Sequence, residues 1–172
     1  MKKATGFFLA AVVLQVLILL GVPARKAYTR MTGRDVVLKV APVDPYSILS
    51  GYYVILGYDI SRPADFPNAP KFEFDEVIYA IVEQQADGLW KPVSIERELP
   101  KNLPANRVAI RGHWNDWRIT YGIEEFYIPE EKRQVIADDL GKNQAEARVE
   151  VKVDAQGNAA LIRLRIQDRV YE

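Results

Sequence analysis

The sequence predicts a mainly β protein, built as an antiparallel sheet or a partly closed barrel or sandwich with one short helix, behind an N-terminal transmembrane helix. Three observations carry that prediction. The first residues form one uncharged apolar run, several later segments alternate apolar and polar residues between proline- and glycine-marked turns, and a single stretch after residue 128 carries helix start and stop signals. The organisation expected is an anchor over 1–24, a linker over 25–34 and a β-rich domain over 35–172.

No side chain from Ala4 to Ala24 is charged, and Phe7, Phe8, Leu9, Val12, Val13, Leu14 and Val16 to Leu20 dominate the run. As a helix it measures about 30 Å, the thickness of a bilayer core. Gln15 and Thr5 are too few to make a polar stripe, so a buried soluble helix is the poorer reading. Lys2 and Lys3 before the run, and Val22-Pro23-Ala24 at its end, also suit a cleaved secretory signal. The length of the run favours the uncut anchor, with the lipid bilayer as its partner. Arg25, Lys26, Arg30 and Arg34 follow the run, and a literal positive-inside count would keep the domain in the cytoplasm. The short basic tail ahead of the run resembles a signal anchor instead, which places the domain outside the cytoplasm at the cell membrane.

Asp35 to Ala41 alternates Val36, Leu38 and Val40 on one face and reads as the first strand. Pro42-Val43-Asp44-Pro45 breaks it, and Tyr52 to Ile60 resumes the extended pattern after a turn through Ser50. Three prolines between residues 62 and 70 mark a surface crossing. Glu76 to Gln84 and Leu89 to Glu96 read as the two arms of a hairpin around Ala86-Asp87-Gly88, both deep in the sheet. Arg107 to His113 is a strand, and beyond the Asn115-Asp116 turn, Trp117, Ile119, Tyr121 and Ile123 alternate with Arg118, Thr120 and Gly122 as a half-buried strand. Pro129 with Glu130 and Glu131 opens the short helix, and Gly141 is suited to end it. The last hairpin sets Val149, Val151 and Val153 against Ala160, Ile162, Leu164 and Ile166 across a turn over Asp154 to Asn158.

Chemistry is sparse. Basic and acidic residues are equal at 23 each, which gives no general attraction to nucleic acid. The absence of cysteine excludes disulfides, thiol catalysis and cysteine-held zinc. One histidine, His113, has no second ligand at metal-binding spacing, and neither a G-x-S-x-G turn nor a glycine-rich phosphate loop is present. Adjacent carboxylates such as Glu124 and Glu125 point to opposite faces of a strand and make no dyad. Trp90, Trp114 and Trp117 read as packing residues before a sugar platform. We therefore expect no catalytic residue, no metal and no cofactor.

The segment Gly51-Tyr52-Tyr53-Val54-Ile55-Leu56-Gly57-Tyr58, after Pro42-Val43-Asp44-Pro45, resembles the GDYXXLXY family of bacterial membrane-anchored proteins of unknown function. Gly51, Tyr53, Leu56 and Tyr58 fit its pattern, whereas Tyr52 stands where the family has aspartate. The block Tyr121-Gly122-Ile123-Glu124-Glu125-Phe126-Tyr127-Ile128-Pro129-Glu130 is similar to the family's downstream signature. The resemblance implies a membrane-associated module working beside an integral membrane protein. Alternation puts Tyr52, Val54, Leu56 and Tyr58 on one face and Tyr53, Ile55 and Gly57 on the other, so the motif also reads as fold architecture. Asp44, Pro45, Gly51, Tyr53, Leu56, Tyr58, Tyr121, Glu124 and Glu130 are the candidate motif or partner-binding residues, with the Pro42 to Gly51 turn and the Tyr121 to Glu130 segment as the expected contact region. The alternative is an inactive or divergent relative of a membrane-tethered, signal-peptidase-like serine hydrolase. Asp44 takes the place a serine nucleophile would need there, and Arg107 to His113 holds no lysine base.

Overall fold

A computed structural model describes residues 2–41, 49–50, 53–67 and 69–172. The chain opens on a helix, α1 (Lys2–Thr32), and the remainder is mainly β, with every strand pair antiparallel. Among the described residues the strands are β1 (Arg34–Ala41), β2 (Leu49–Ser50), β3 (Tyr53–Ile55), β4 (Gly57–Tyr58), β5 (Val77–Gln84), β6 (Trp90–Glu96), β7 (Arg107–Trp114), β8 (Ile119–Thr120), β9 (Glu125–Tyr127), β10 (Ala147–Val153), β11 (Ala159–Ile166) and β12 (Arg169–Tyr171). One further helix, α2 (Arg133–Asn143), lies between β9 and β10. The strands form a five-stranded sheet ordered β12-β11-β10-β1-β4, a four-stranded sheet ordered β6-β5-β7-β8 and a small sheet ordered β2-β3-β9. Among the described residues no sheet closes into a barrel.

One continuous apolar core joins the three sheets. Val36, Leu38, Val149, Val151 and Leu164 from the first sheet meet Ile78, Ala80, Val82 and Ile110 from the second, and Val54 and Phe126 from the third. Such a core follows from period-two alternation, because each strand contributes every second side chain to one face. Ile136 and Leu140 of α2 complete it, one helical turn apart. Asp139 on the same helix accepts hydrogen bonds from the Tyr171 hydroxyl at 2.5 Å and from Arg169 Nη1, which ties β12 to α2.

Several elements differ from their sequence expectation. Of the strand expected over Tyr52 to Ile60, Tyr52 lies outside the described residues and Tyr53 to Ile60 is not one strand. β3 and β4 are separated at Leu56, whose amide donates to the Glu124 carbonyl at 2.7 Å, and residues 59–61 turn as a short 3-10 helix. The strand expected over Trp117 to Ile123 shrinks to β8, since Gly122 takes φ +74° and reverses the chain, while Trp117 is left 87% exposed. β6 is an edge strand rather than a deep one, consistent with Pro92, which cannot donate to a ladder. Gly141 lies inside α2, which continues to Asn143, and residues 130–132 precede it as a 3-10 turn. A bulge at Glu150/Val151 pairs Val151 with Leu161, so Leu161 rather than Ile162 packs on the core. β12 was not anticipated.

The segment 25–32, expected as linker, continues α1 up to Gly33. The helix bends by 41° between Gly21 and Pro23, as proline requires when it removes an N–H and crowds the preceding turn. Among the described residues no single helix is long and apolar enough to cross a membrane, while the bent pair Leu9–Gly21 and Pro23–Thr32 together meet that test by length and composition alone. Gly33 then lets the chain pass tightly into β1. A Cβ there would stand 2.5 Å from the Thr29 carbonyl oxygen and 2.9 Å from Lys152 Cβ.

Candidate functional site

The two segments singled out in the sequence lie against each other. β3 and β9 pair Tyr53 with Tyr127, Val54 with Phe126 and Ile55 with Glu125, and the rings of Tyr53 and Tyr127 stand 5.8 Å apart. Two buried tyrosines cross-tie the segments. The Tyr58 hydroxyl donates to the Ile123 carbonyl and the Tyr121 hydroxyl to the Ile60 carbonyl, each at 2.5 Å. Burial, reinforced by the nearby Glu124 carboxylate, holds both phenols well above the usual tyrosine pKa, so they stay neutral donors. Glu124 Oε1 accepts the Tyr121 amide at 2.6 Å and closes the turn that Gly122 permits. Gly112 makes room for the Tyr121 ring, whose Cε1 lies 2.9 Å from where a Cβ would be.

Of the candidate residues, Leu56, Tyr58 and Tyr121 are therefore core, Tyr53 is half-buried, Glu124 is a turn residue lining a cavity, and Glu130 is exposed. Asp44, Pro45 and Gly51 lie outside the described residues. Tyr127 is the exposed aromatic of the second segment, and its hydroxyl donates to Glu125 Oε2 at 3.1 Å.

Beside the Tyr121–Glu124 turn, a cavity of about 500 Å³ separates the last turns of α1 from β7 and the β10–β11 turn. Arg25, Lys26 and Thr29 line it from α1, Arg111 and His113 from β7, and Asn158 and Ala159 from the hairpin. Its walls are pinned by buried and part-buried hydrogen bonds. Asp154 accepts the Thr29 hydroxyl at 2.6 Å through Oδ2, the amides of Gln156 and Asn158 through Oδ1, and the Asn158 side chain through both oxygens. Burial pushes its pKa up, but these donors outweigh burial and hold it below the usual aspartate value. The Arg111 amide donates to the Gly157 carbonyl at 2.8 Å and fixes β7 against the same turn. His113 Nδ1 is 3.2 Å from Asp75 Oδ1. Among the described residues no three histidine, aspartate or glutamate side chains stand together as metal ligands.

Arg25 and Lys26 counted in the sequence only as a topology signal, and Arg111 only as part of a strand. The signal that could have marked Arg111 was its charge within Val108-Ala109-Ile110-Arg111-Gly112. A family model described as "GDYXXLXY protein" matches residues 15–164. No curated protein and no solved structure matches the chain.

Proposed function

The chain belongs to the GDYXXLXY family, and from that premise we propose that it is a non-enzymatic interaction module, held at the cell membrane by α1 with its β domain outside the cytoplasm. Its partner in this reading is an integral membrane protein. The observation that carries the anchor is the bare apolar surface of α1: Phe7, Leu9, Val13, Leu14, Leu17, Ile18, Leu19 and Leu20 are all more than half exposed and point all round the helix. An unpartnered apolar surface of that extent is costly in water and suits hydrocarbon. Support for a binding rather than a catalytic role comes from four paired tyrosine hydroxyls and the histidine. Tyr58 and Tyr121 are committed to carbonyls, Tyr127 and Tyr171 to carboxylates, and the lone histidine faces Asp75.

The contact region in this proposal includes Tyr127 and Glu130, which lie exposed at the outer end of the motif clasp. A photo-crosslinking residue placed at Tyr127 or Glu130 in native membranes should capture one discrete membrane protein, and the same residue at Lys101, exposed in a different loop, should not. Equal capture from all three positions, or none from Tyr127 and Glu130, would refute this contact region.

A further inference from the structure

We propose that the cavity between α1 and β7 binds a phosphate-bearing anion through Arg25, Lys26 and Arg111, and that an anionic lipid headgroup is the form in which the membrane presents it. The lipid source rests on the anchor reading above; the anion site itself does not. The neutral polar groups around the cavity are already engaged, with Thr29 and Asn158 donating to Asp154 and Thr120 to the His113 carbonyl. What remains is charge. No side-chain hydrogen bond or ion pair to a described residue engages Arg25, Lys26 or Arg111, and Arg111 Nε is shielded from solvent without any partner. The one carboxylate in the lining, Glu124, is held by the Tyr121 amide, so three cations face a single acid. A buried guanidinium nitrogen left unsatisfied is costly, and a phosphate oxygen is the acceptor its geometry suits best. The volume of about 500 Å³ admits a headgroup and leaves space for its glycerol.

The position of the cavity favours the lipid. Thr32 lines a cleft with Val108 and Ala109, whereas Arg25 and Lys26 share the large cavity with His113 and Thr120. Between Thr32 and Arg25 the helix thus faces β7 from the strand's start towards its end, and Arg25 follows the apolar part of the helix directly, so the cavity lies near the end of that part. The β7–β8 turn carries Trp117, 87% exposed, and the adjoining turn carries Phe74, 73% exposed, linked by the Asp75 amide to the Trp114 carbonyl at 2.8 Å. Exposed aromatic rings on turns next to the strand that lines the cavity suit a membrane interface.

The full chain, purified in a non-ionic detergent, is unfolded thermally with dioctanoyl phosphatidylglycerol, dioctanoyl phosphatidylcholine or inorganic phosphate. Phosphatidylglycerol should raise Tm saturably, phosphatidylcholine should not, and Arg111→Gln should weaken the apparent affinity about tenfold. The double variant Arg25→Gln with Lys26→Gln, at solvent-exposed helix positions, should do the same and covers the case in which Arg111→Gln does not fold. An equal response to inorganic phosphate supports the anion site and assigns it to a free anion. No shift with either anion, an equal shift with phosphatidylcholine, or a shift unchanged in the double variant would overturn the proposal. Carbonate extraction of the same chain from membranes reports on the anchor separately, since release there leaves the anion titration unaffected.

Discussion

Tyr58 and Tyr121 do more for the fold than their places in a motif suggest. Each ring fills the core while its hydroxyl satisfies a buried backbone carbonyl on the other segment, so the two side chains clamp the clasp from both directions. Tyr58→Phe keeps the ring and strands the Ile123 carbonyl, and Tyr121→Phe does the same to Ile60. Each change should cost about 1–3 kcal/mol in chemical denaturation. Because the two bonds bridge the same pair of segments, the double variant should lose less than the two single losses combined. The raised phenol pKa values fix the sign of the alkaline response. A group with a folded pKa above its unfolded value of about 10 contributes fully below that pH, and the contribution falls as pH climbs beyond it. Stability should decline above about pH 10 more steeply in the parent than in either phenylalanine variant. A parallel decline in all three would remove these tyrosines from the titration.

At the scale of elements, the decisive joint is where α1 meets the β10–β11 turn. Asp154 gathers the Thr29 hydroxyl, two amides and the Asn158 side chain, so Asp154→Ala leaves several donors without an acceptor in a buried place. The loss should be about 2–4 kcal/mol, with faster proteolysis between Arg25 and Gly33 than in the parent. The Asp154 pKa is depressed in the folded state, so its contribution is present above the unfolded value of about 4 and disappears as pH falls through the folded one. Cleavage that stays at the parent rate in Asp154→Ala would show that the helix is held by other contacts. The hairpin at this joint was legible because Ala147 to Val153 alternates strictly and Asp154 to Asn158 is turn chemistry. Its bulge was not, since a two-against-one pairing leaves no trace in the alternation of either strand. The Trp117 to Ile123 strand failed for a related reason: Ile119, Tyr121 and Ile123 are indeed buried, but Gly122 turns the chain between them. β12 needed Asp139 from another element, and the cavity needs Arg25, Arg111, Glu124 and Asn158 from four separate stretches. Local patterns carry no record of such meetings.

For the whole molecule, the arrangement turns on one long helix with two unlike parts. The described side chains from Gly6 to Gly21 are exposed, whereas Thr29 is 2% exposed and bonded into the β domain. The bend at Pro23 divides the two parts. Under the proposed anchoring, a helix that continues into the domain sets its height and rotation more closely than a flexible linker would, and the basic residues just past the bend would stand close to the headgroups. The side on which the domain stands follows from the competition between Lys2 and Lys3 ahead of the apolar run and Arg25, Lys26, Arg30 and Arg34 behind it. In the proposed orientation Arg30 lies by the domain, where its Nη2 donates to the Leu161 carbonyl at 3.4 Å, and the short N-terminal tail remains in the cytoplasm. The chain contains no cysteine, so a single one can be introduced without background. Lys101→Cys and Glu172→Cys are exposed positions in the β domain, and in an outward-facing protein both should react with a membrane-impermeant maleimide on spheroplasts. Lys3→Cys should react only after the membrane is opened. The opposite pattern would place the β domain in the cytoplasm, and reaction of Lys101→Cys in a soluble, released species would show that the apolar run is cleaved as a signal.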